Sequence, residues 1–275
     1  MNAIGAILKR NLLNFTRNTG QLLGSIFMPL FFVLMFSFFM KASPMGISQP
    51  MNYLIAGVII MTVFQGAISN STAILSDISS GFMREILVAP ISRTQISIGQ
   101  ILSAGIISVS QGLLMTIISL FLGLKLDPLH LLEMVGVMML AGMTFASIGL
   151  FLATVSRNSA TFQIISTIIM LPFTFLSGAY IPTTILPKFM MPLVYLNPLT
   201  YLTAIFRFIT LKMENVPISD LIKQGVVFDV HGVMITPLFG LLTTALIGAF
   251  FLFLCVRKFE KADFSNVKVA RPSRH

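Results

Sequence analysis

The sequence predicts an all-α integral membrane protein with six transmembrane helices, and three observations carry that reading. First, the 275-residue chain is 56% hydrophobic and only 10% charged, against about 25% charged residues in an ordinary soluble domain. It lacks the polar surface to cover a core of its size, which excludes a soluble globular protein, a disordered chain and a disulfide scaffold. Second, charge-free windows of 23, 35, 31, 23, 30 and 27 residues follow Arg17, Lys41, Arg93, Glu133, Arg157 and Asp229. Each exceeds the ~20 apolar residues that cross a bilayer as a helix. Third, runs such as Phe31-Phe32-Val33-Leu34-Met35-Phe36 do not alternate, as barrel strands would.

Residues 1–20 read as an amphipathic helix lying in the membrane plane. Ile4, Ile7, Leu8, Leu12 and Phe15 share one face, with Lys9, Arg10 and Arg17 off it. Two roles fit: a basic anchor, or an elbow that also touches a partner. The first apolar stretch is longer than the roughly 7–15 residues of a signal-peptide core, so it reads as a permanent span. The transmembrane domain covers 21–256, with spans at about 21–40, 51–75, 97–124, 131–153, 161–180 and 235–256. Residues 257–275 form a basic tail. The single Cys255 has no intramolecular partner.

A further charge-free stretch, Phe189 to Phe206, contains Pro192 and Pro198, with Pro182 and Pro187 just before it. Proline removes a backbone donor that lipid cannot replace. The stretch therefore reads as short broken helices, re-entrant or interfacial. With six spans and an inside N-terminus, twelve basic residues fall inside: Lys9, Arg10, Arg17, Arg84, Arg93, Arg157 and the six from Arg257 onward. Six fall outside, at Lys41, Lys125, Lys188, Arg207, Lys212 and Lys223. This matches the positive-inside rule and places both termini in the cytoplasm. The net charge of +9 is accounted for by anchoring to anionic membrane lipid and needs no nucleic acid.

No Gly-Lys pair occurs, so there is no P-loop for ATP. His130, His231 and His275 are scattered, without HExxH or a Cys/His cluster, which argues against a metal site. Glu133 follows His130 by three residues and reads as a solvated helix end. The spans carry no ionisable group at mid-depth, where proton-coupled carriers hold theirs. Energy for transport would then come from another subunit through a cytoplasmic contact.

Only the loop Asp77 to Arg93 is long enough for that contact. Asp77 or Ser79 would start a helix there and Pro90 would end it. Phe82, Met83, Ile86 and Leu87 share an apolar face, edged by Arg84 and Glu85. Such a helix suits docking in a groove of a soluble protein, or lying passively on the membrane.

The run Arg84-Glu85-Ile86-Leu87-Val88-Ala89-Pro90-Ile91-Ser92-Arg93 resembles the segment after the second span of type-2 ABC exporter permeases, the ABC-2 family. Phe175-Leu176-Ser177-Gly178-Ala179-Tyr180-Ile181-Pro182, followed by Tyr195-Leu196-Asn197-Pro198-Leu199-Thr200-Tyr201, is similar to that family's fifth-span end and re-entrant outer helices. The resemblance implies the membrane subunit of an ATP-driven exporter. Two ABC ATPase subunits would bind ATP and Mg, and this chain would bind no cofactor. A second permease copy or paralogue would complete a dimer. Gly81, Phe82, Met83, Arg84, Glu85, Ile86, Leu87, Pro90 and Arg93 would form the coupling helix, with the N-terminal helix beside it as connecting helix. Gly178, Pro182, Asn197 and Pro198 would shape the re-entrant region.

Polar residues inside the spans, Gln65, Asn70, Gln100, Gln111 and Gln163, are candidates for the translocation path; plain interhelical hydrogen bonding is the other reading. Gly57, Gly66, Ser166 and Gly178 suit close helix packing, including at a dimer seam. The leading cargo is a hydrophobic or amphipathic compound of the drug or antibiotic class. Within the family, a lipid-linked glycan or lipid is the alternative, and an ion-coupled secondary carrier is the alternative from another class.

Overall fold

The computed structural model describes residues 3–42, 50–83, 86, 91–156, 158–230 and 233–261. The chain order is α1 (Ala3–Arg17), α2 (Thr19–Ala42), α3 (Pro50–Asn70), α4 (Ala73–Ser79), α5 (Arg93–Phe121), α6 (Pro128–Val155) and α7 (Ser159–Leu176). Two 3-10 turns, Thr183–Ile185 and Lys188–Met190, lead into α8 (Met191–Leu196), α9 (Pro198–Thr210) and α10 (Ile218–Lys223). A small antiparallel hairpin, β1 (Phe228–Val230) with β2 (Val233–Ile235), precedes α11 (Pro237–Lys261). The apolar pattern did not announce that hairpin.

Among the described residues six helices are long and apolar enough to span a membrane: α2, α3 continued by α4, α5, α6, α7 and α11. Each overlaps one of the charge-free windows, with ends that depart from the window's by up to eleven residues. Local chemistry sets several of those ends. Ser92 starts α5 through a capping box, its Oγ accepting from Gln95 N at 3.2 Å while Gln95 Oε1 accepts from Ser92 N at 3.1 Å. Pro128 opens α6, where a missing N–H costs nothing. Asn158 caps α7 by accepting from Thr161 N at 2.8 Å.

The helices are not equivalent. In α3 with α4, 83% of the apolar window is buried within the chain, against 11% in α2, 17% in α7 and 22% in α11. The core is therefore α3 wrapped by α5 and α6, with Phe64 edge-on to Phe145 at 4.5 Å. α2 and α7 stand at the periphery with large apolar faces open. Cys255 is fully buried on α11.

The proline-rich stretch is a broken pair, as its prolines required: Lys188–Leu196 meets Pro198–Thr210 at 86°. Asn197 makes the corner. Its Oδ1 accepts from Leu199 N at 3.0 Å, and its Nδ2 donates to Phe173 O at 2.9 Å. Thr200 Oγ1 donates to Leu176 O at 3.3 Å, and Ser177 Oγ to Thr174 O at 2.8 Å. The last carbonyls of α7, which a helix leaves without internal donors, are thus satisfied by the corner that follows. Gly178 turns the chain here with φ of 79°. The next residue lies so close to α3 that a Cβ on Gly57 would sit 2.2 Å from Ala179 O. Tyr180 then stacks on α2, at 5.3 Å from Phe32 and 5.4 Å from Phe36.

Arg207, counted above among the outside basic residues, lies inside a helix and is buried. It is 1% exposed on α9, its guanidinium 3.4 Å from the Tyr53 ring centroid, donating to Gly178 O at 2.8 Å and Gln224 O at 3.5 Å. Asp77 and Ser79 do not start a helix; both lie inside α4, which begins at Ala73 and stops at Ser80 before Gly81.

At the end of the bundle remote from α1, Asp127 binds Lys212 and His130, and His130 Nε2 lies 3.0 Å from Glu214 Oε1. His130 thus pairs across to the segment after α9, not with Glu133. The Lys212 hydrogen bond and charge, helped by His130, hold the Asp127 carboxyl below its ordinary value of 3.8. A carboxylate lowered on folding contributes stability above its unfolded pKa and loses it as pH falls through the folded one. Thermal melting at stepped pH should show Asp127→Asn slightly less stable than wild type near neutrality. That gap should close below about pH 4.

Candidate functional site

α1 packs its apolar face on α5: Ile7 and Phe15 are buried, and a Cβ on Gly99 would touch Ile7 at 3.2 Å. Four polar side chains close a ring across this contact. Arg10 Nη2 donates to Asn11 Oδ1 at 2.8 Å and to Asp77 Oδ2 at 2.5 Å. Asn11 Nδ2 donates to Gln100 Oε1 at 2.8 Å, and Gln100 Nε2 returns to Asp77 Oδ2 at 3.1 Å. The Arg10 guanidinium also lies 4.6 Å from the centroid of Phe82. The ring ties α1, α4 and α5 into one body at the start of the 81–93 loop. Within that loop Met83 and Ile86 are buried in the chain's own core, Phe82 is half-buried, and Gly81 turns with φ of 82°. The apolar face that the spacing groups is therefore held largely by this chain itself. Arg84, Glu85, Leu87 and Pro90 lie outside the described residues. Arg93 opens α5.

Beside the ring a recess opens between α1, α4 and α5 and runs up between α2 and the α3–α5 pair, mixed in polarity near the ring and largely apolar in surface further up. It has two adjoining parts of about 250 and 270 Å3 that share Gln21 and Asn70. Gln65, Asn70 and Gln111, three of the five path candidates, line the deeper part. Asn70 Oδ1 accepts from Gln21 Nε2 at 2.9 Å, and Asn70 Nδ2 donates to Gly66 O at 2.7 Å, with Gln111 Oε1 at 3.5 Å. Gln100 belongs to the ring instead. Gln163 stands exposed on α7, away from the others. Gly57 and Gly66 pack within the chain, against Ala179 and Gln111, so neither marks a seam with another molecule. A second, apolar recess of about 560 Å3 lies between α6, α9 and α11, with Glu133 as its one charged lining group. Among the described residues no cluster of His, Cys, Asp and Glu is arranged to hold a metal ion.

A multi-pass helical membrane protein with a recess beside a cross-braced terminal helix is the class that fold and site define. The chain belongs to the ABC-2 type transporter family, whose model matches residues 2–211. It is similar to the inner membrane transport permease YadH of Escherichia coli (strain K12), 29% identical over 186 residues, 66% of this chain and 70% of YadH. It is also similar to the transport permeases ycf38 of Pyropia yezoensis, 28% identical over 206 residues (72% and 70% of the two chains), and of Porphyra purpurea, 27% over 214 residues (75% and 73%).

The ring was only half legible beforehand. Gln100 drew attention as a polar residue within a span, and Arg10 as part of a basic face. Their common partner Asp77 is 67 residues from Arg10, a separation that no local pattern bridges.

Proposed function

We propose that the chain is the membrane subunit of an ATP-driven exporter that moves a hydrophobic or amphipathic compound out of the cytoplasm or inner leaflet. Family membership makes it a transport permease. It carries no P-loop, so ATP and Mg belong to a partner: two ABC ATPase subunits docking on the loop 81–93 from the cytoplasm. The observation that supports this reading is the Arg10–Asp77–Gln100–Asn11 ring, which braces the N-terminal helix against α4 and α5 on either side of that loop, with Arg10 over the Phe82 ring. The largely open faces of α2 and α7 suit a second permease copy or paralogue. Both termini are cytoplasmic in a bacterial-type plasma membrane, and the broken pair Lys188–Thr210 enters from the outer side. The drug or antibiotic class is the favoured cargo, a lipid or lipid-linked glycan the alternative.

The test is a gentle solubilisation of the tagged chain followed by mass spectrometry of what comes with it. A stoichiometric soluble subunit bearing a Walker A motif is the expected result, with ATPase activity in the complex. A chain that comes down alone from several detergents would sink the proposal.

A further inference from the structure

The recess between α2 and the α3–α5 pair has properties that helix packing alone does not require. Its lining is rich in uncharged hydrogen-bonding groups: Asn18, Gln21, Thr62, Gln65, Asn70 and Gln111. The two charges at its mouth, Arg10 and Asp77, are paired with each other. Gln65 makes no hydrogen bond among the described residues. Gln111, 3% exposed, uses only its Oε1, leaving its amide donor without a partner there. Gly24 on α2 stands exposed in this lining, and a Cβ added there would meet nothing within 4 Å, so the space beside it is void that a longer side chain would fill. Pro29, deeper in the same wall, cannot donate to the carbonyl of Ser25, which also lines the recess.

Its extent is informative. From Asn18 to Pro29 the helix rises about 16 Å, roughly half of a ~30 Å hydrocarbon core. The volume of the two parts together falls in the range of small-molecule sites, about 300–1,000 Å3. Exposed apolar side chains of α2 adjoin it: Met28 lines the recess and Phe27 lies beside it, both strongly exposed. A charged group entering would shed its hydration without meeting a free counter-charge. A hydroxyl or amide would exchange water for Gln and Asn at little cost.

We propose that this recess binds the uncharged, hydroxyl- or amide-bearing head group of an amphipathic molecule whose apolar body lies along α2. The assignment narrows the cargo of the exporter reading and rests on that reading only for its consequence, transport. Binding itself needs no ATPase.

The experiment uses the full chain in nanodiscs and a photoreactive decyl glucoside as probe. Labelling is expected on peptides of α2, α3 and α5. Unlabelled decyl glucoside should suppress it; decyl sulfate and decyltrimethylammonium, of equal chain length, should not. Gly24→Leu fills the void and improves helix propensity. It should weaken labelling about tenfold, equivalent to about 1.4 kcal/mol, with an unchanged melting temperature. Gln65→Leu should weaken it in the same direction without altering the volume much. Equal labelling of wild type and Gly24→Leu, or equal competition by either charged amphiphile, would overturn the inference. The two readings fail separately: an ATPase that co-purifies with a chain whose recess takes no label defeats this one. A labelled recess on a chain with no ATPase defeats the exporter.

Discussion

Arg207→Ala should cost the fold about 3–5 kcal/mol, the range for emptying a large core position. The guanidinium is fully buried yet meets no carboxylate among the described residues. It is held by the carbonyls of Gly178 and Gln224 and by the face of Tyr53. Alanine would strip donors from both carbonyls and open a void under the ring. Three segments lose their common post: the α7–corner junction, α9, and the loop after α10. The same junction depends on Gly57, where any side chain would push into the Ala179 carbonyl. Thermal melting of detergent-solubilised protein reads the effect. Arg207→Met refills the volume and removes the desolvated charge, so it should lose less than alanine does, since apolar replacement of a buried charge is often tolerated. Tyr53 Oη still donates to Gly178 O at 3.3 Å in that variant. An alanine variant that melts like wild type would mean that α9 is held by its apolar face alone.

How much of this was legible depends on which force decided each feature. The six spans were readable because lipid demands long uncharged stretches, and such stretches are visible in one dimension. The broken pair was readable because Pro192 and Pro198 forbid a continuous helix. What each span faces was not readable. α3 and α7 are similarly apolar, yet one is the core and the other stands at the edge. In a membrane the outside of a bundle is as apolar as its inside, so hydrophobic pattern does not orient a helix. Polar residues within spans were the right places to look, but the structure divides them: Gln65, Asn70 and Gln111 line one recess, Gln100 enters the ring, Gln163 joins neither. The burial of Arg207 was not readable, because its partners are backbone carbonyls, which no residue letter announces. The cap of α5 was written in Ser92-Arg93-Thr94-Gln95 as a capping box but went unread.

On the proposed exporter reading, Asp77→Ala should uncouple ATP hydrolysis from transport while leaving the assembly intact. Asp77 Oδ2 is the shared acceptor for Arg10 and Gln100, and its side chain is 13% exposed. Removing it orphans the Gln100 amide, a residue only 5% exposed, at a cost of about 1–3 kcal/mol. Arg10, a quarter exposed, turns to solvent and adds less. The bundle core of α3, α5 and α6 is untouched, so the protein still inserts and folds. What is lost is the brace that fixes α1 against α4 where the chain enters the 81–93 loop. A partner docking on that loop would still bind and hydrolyse ATP, but its motion would pass to α1 and α2 less faithfully. Network mutations of this kind shift coupling by about 0.5–2 kcal/mol, so transport per ATP should fall roughly 2- to 30-fold. Arg10→Ala should give a similar deficit, and the double variant should be little worse than either single one, because one interaction has been removed twice. Arg10→Lys keeps the charge but not the fork that serves Asn11 and Asp77 together, and should fall between. Additive deficits from Arg10→Ala and Asp77→Ala would show that the two act separately. Full transport in both would remove the ring from the mechanism and leave it a local brace of the bundle.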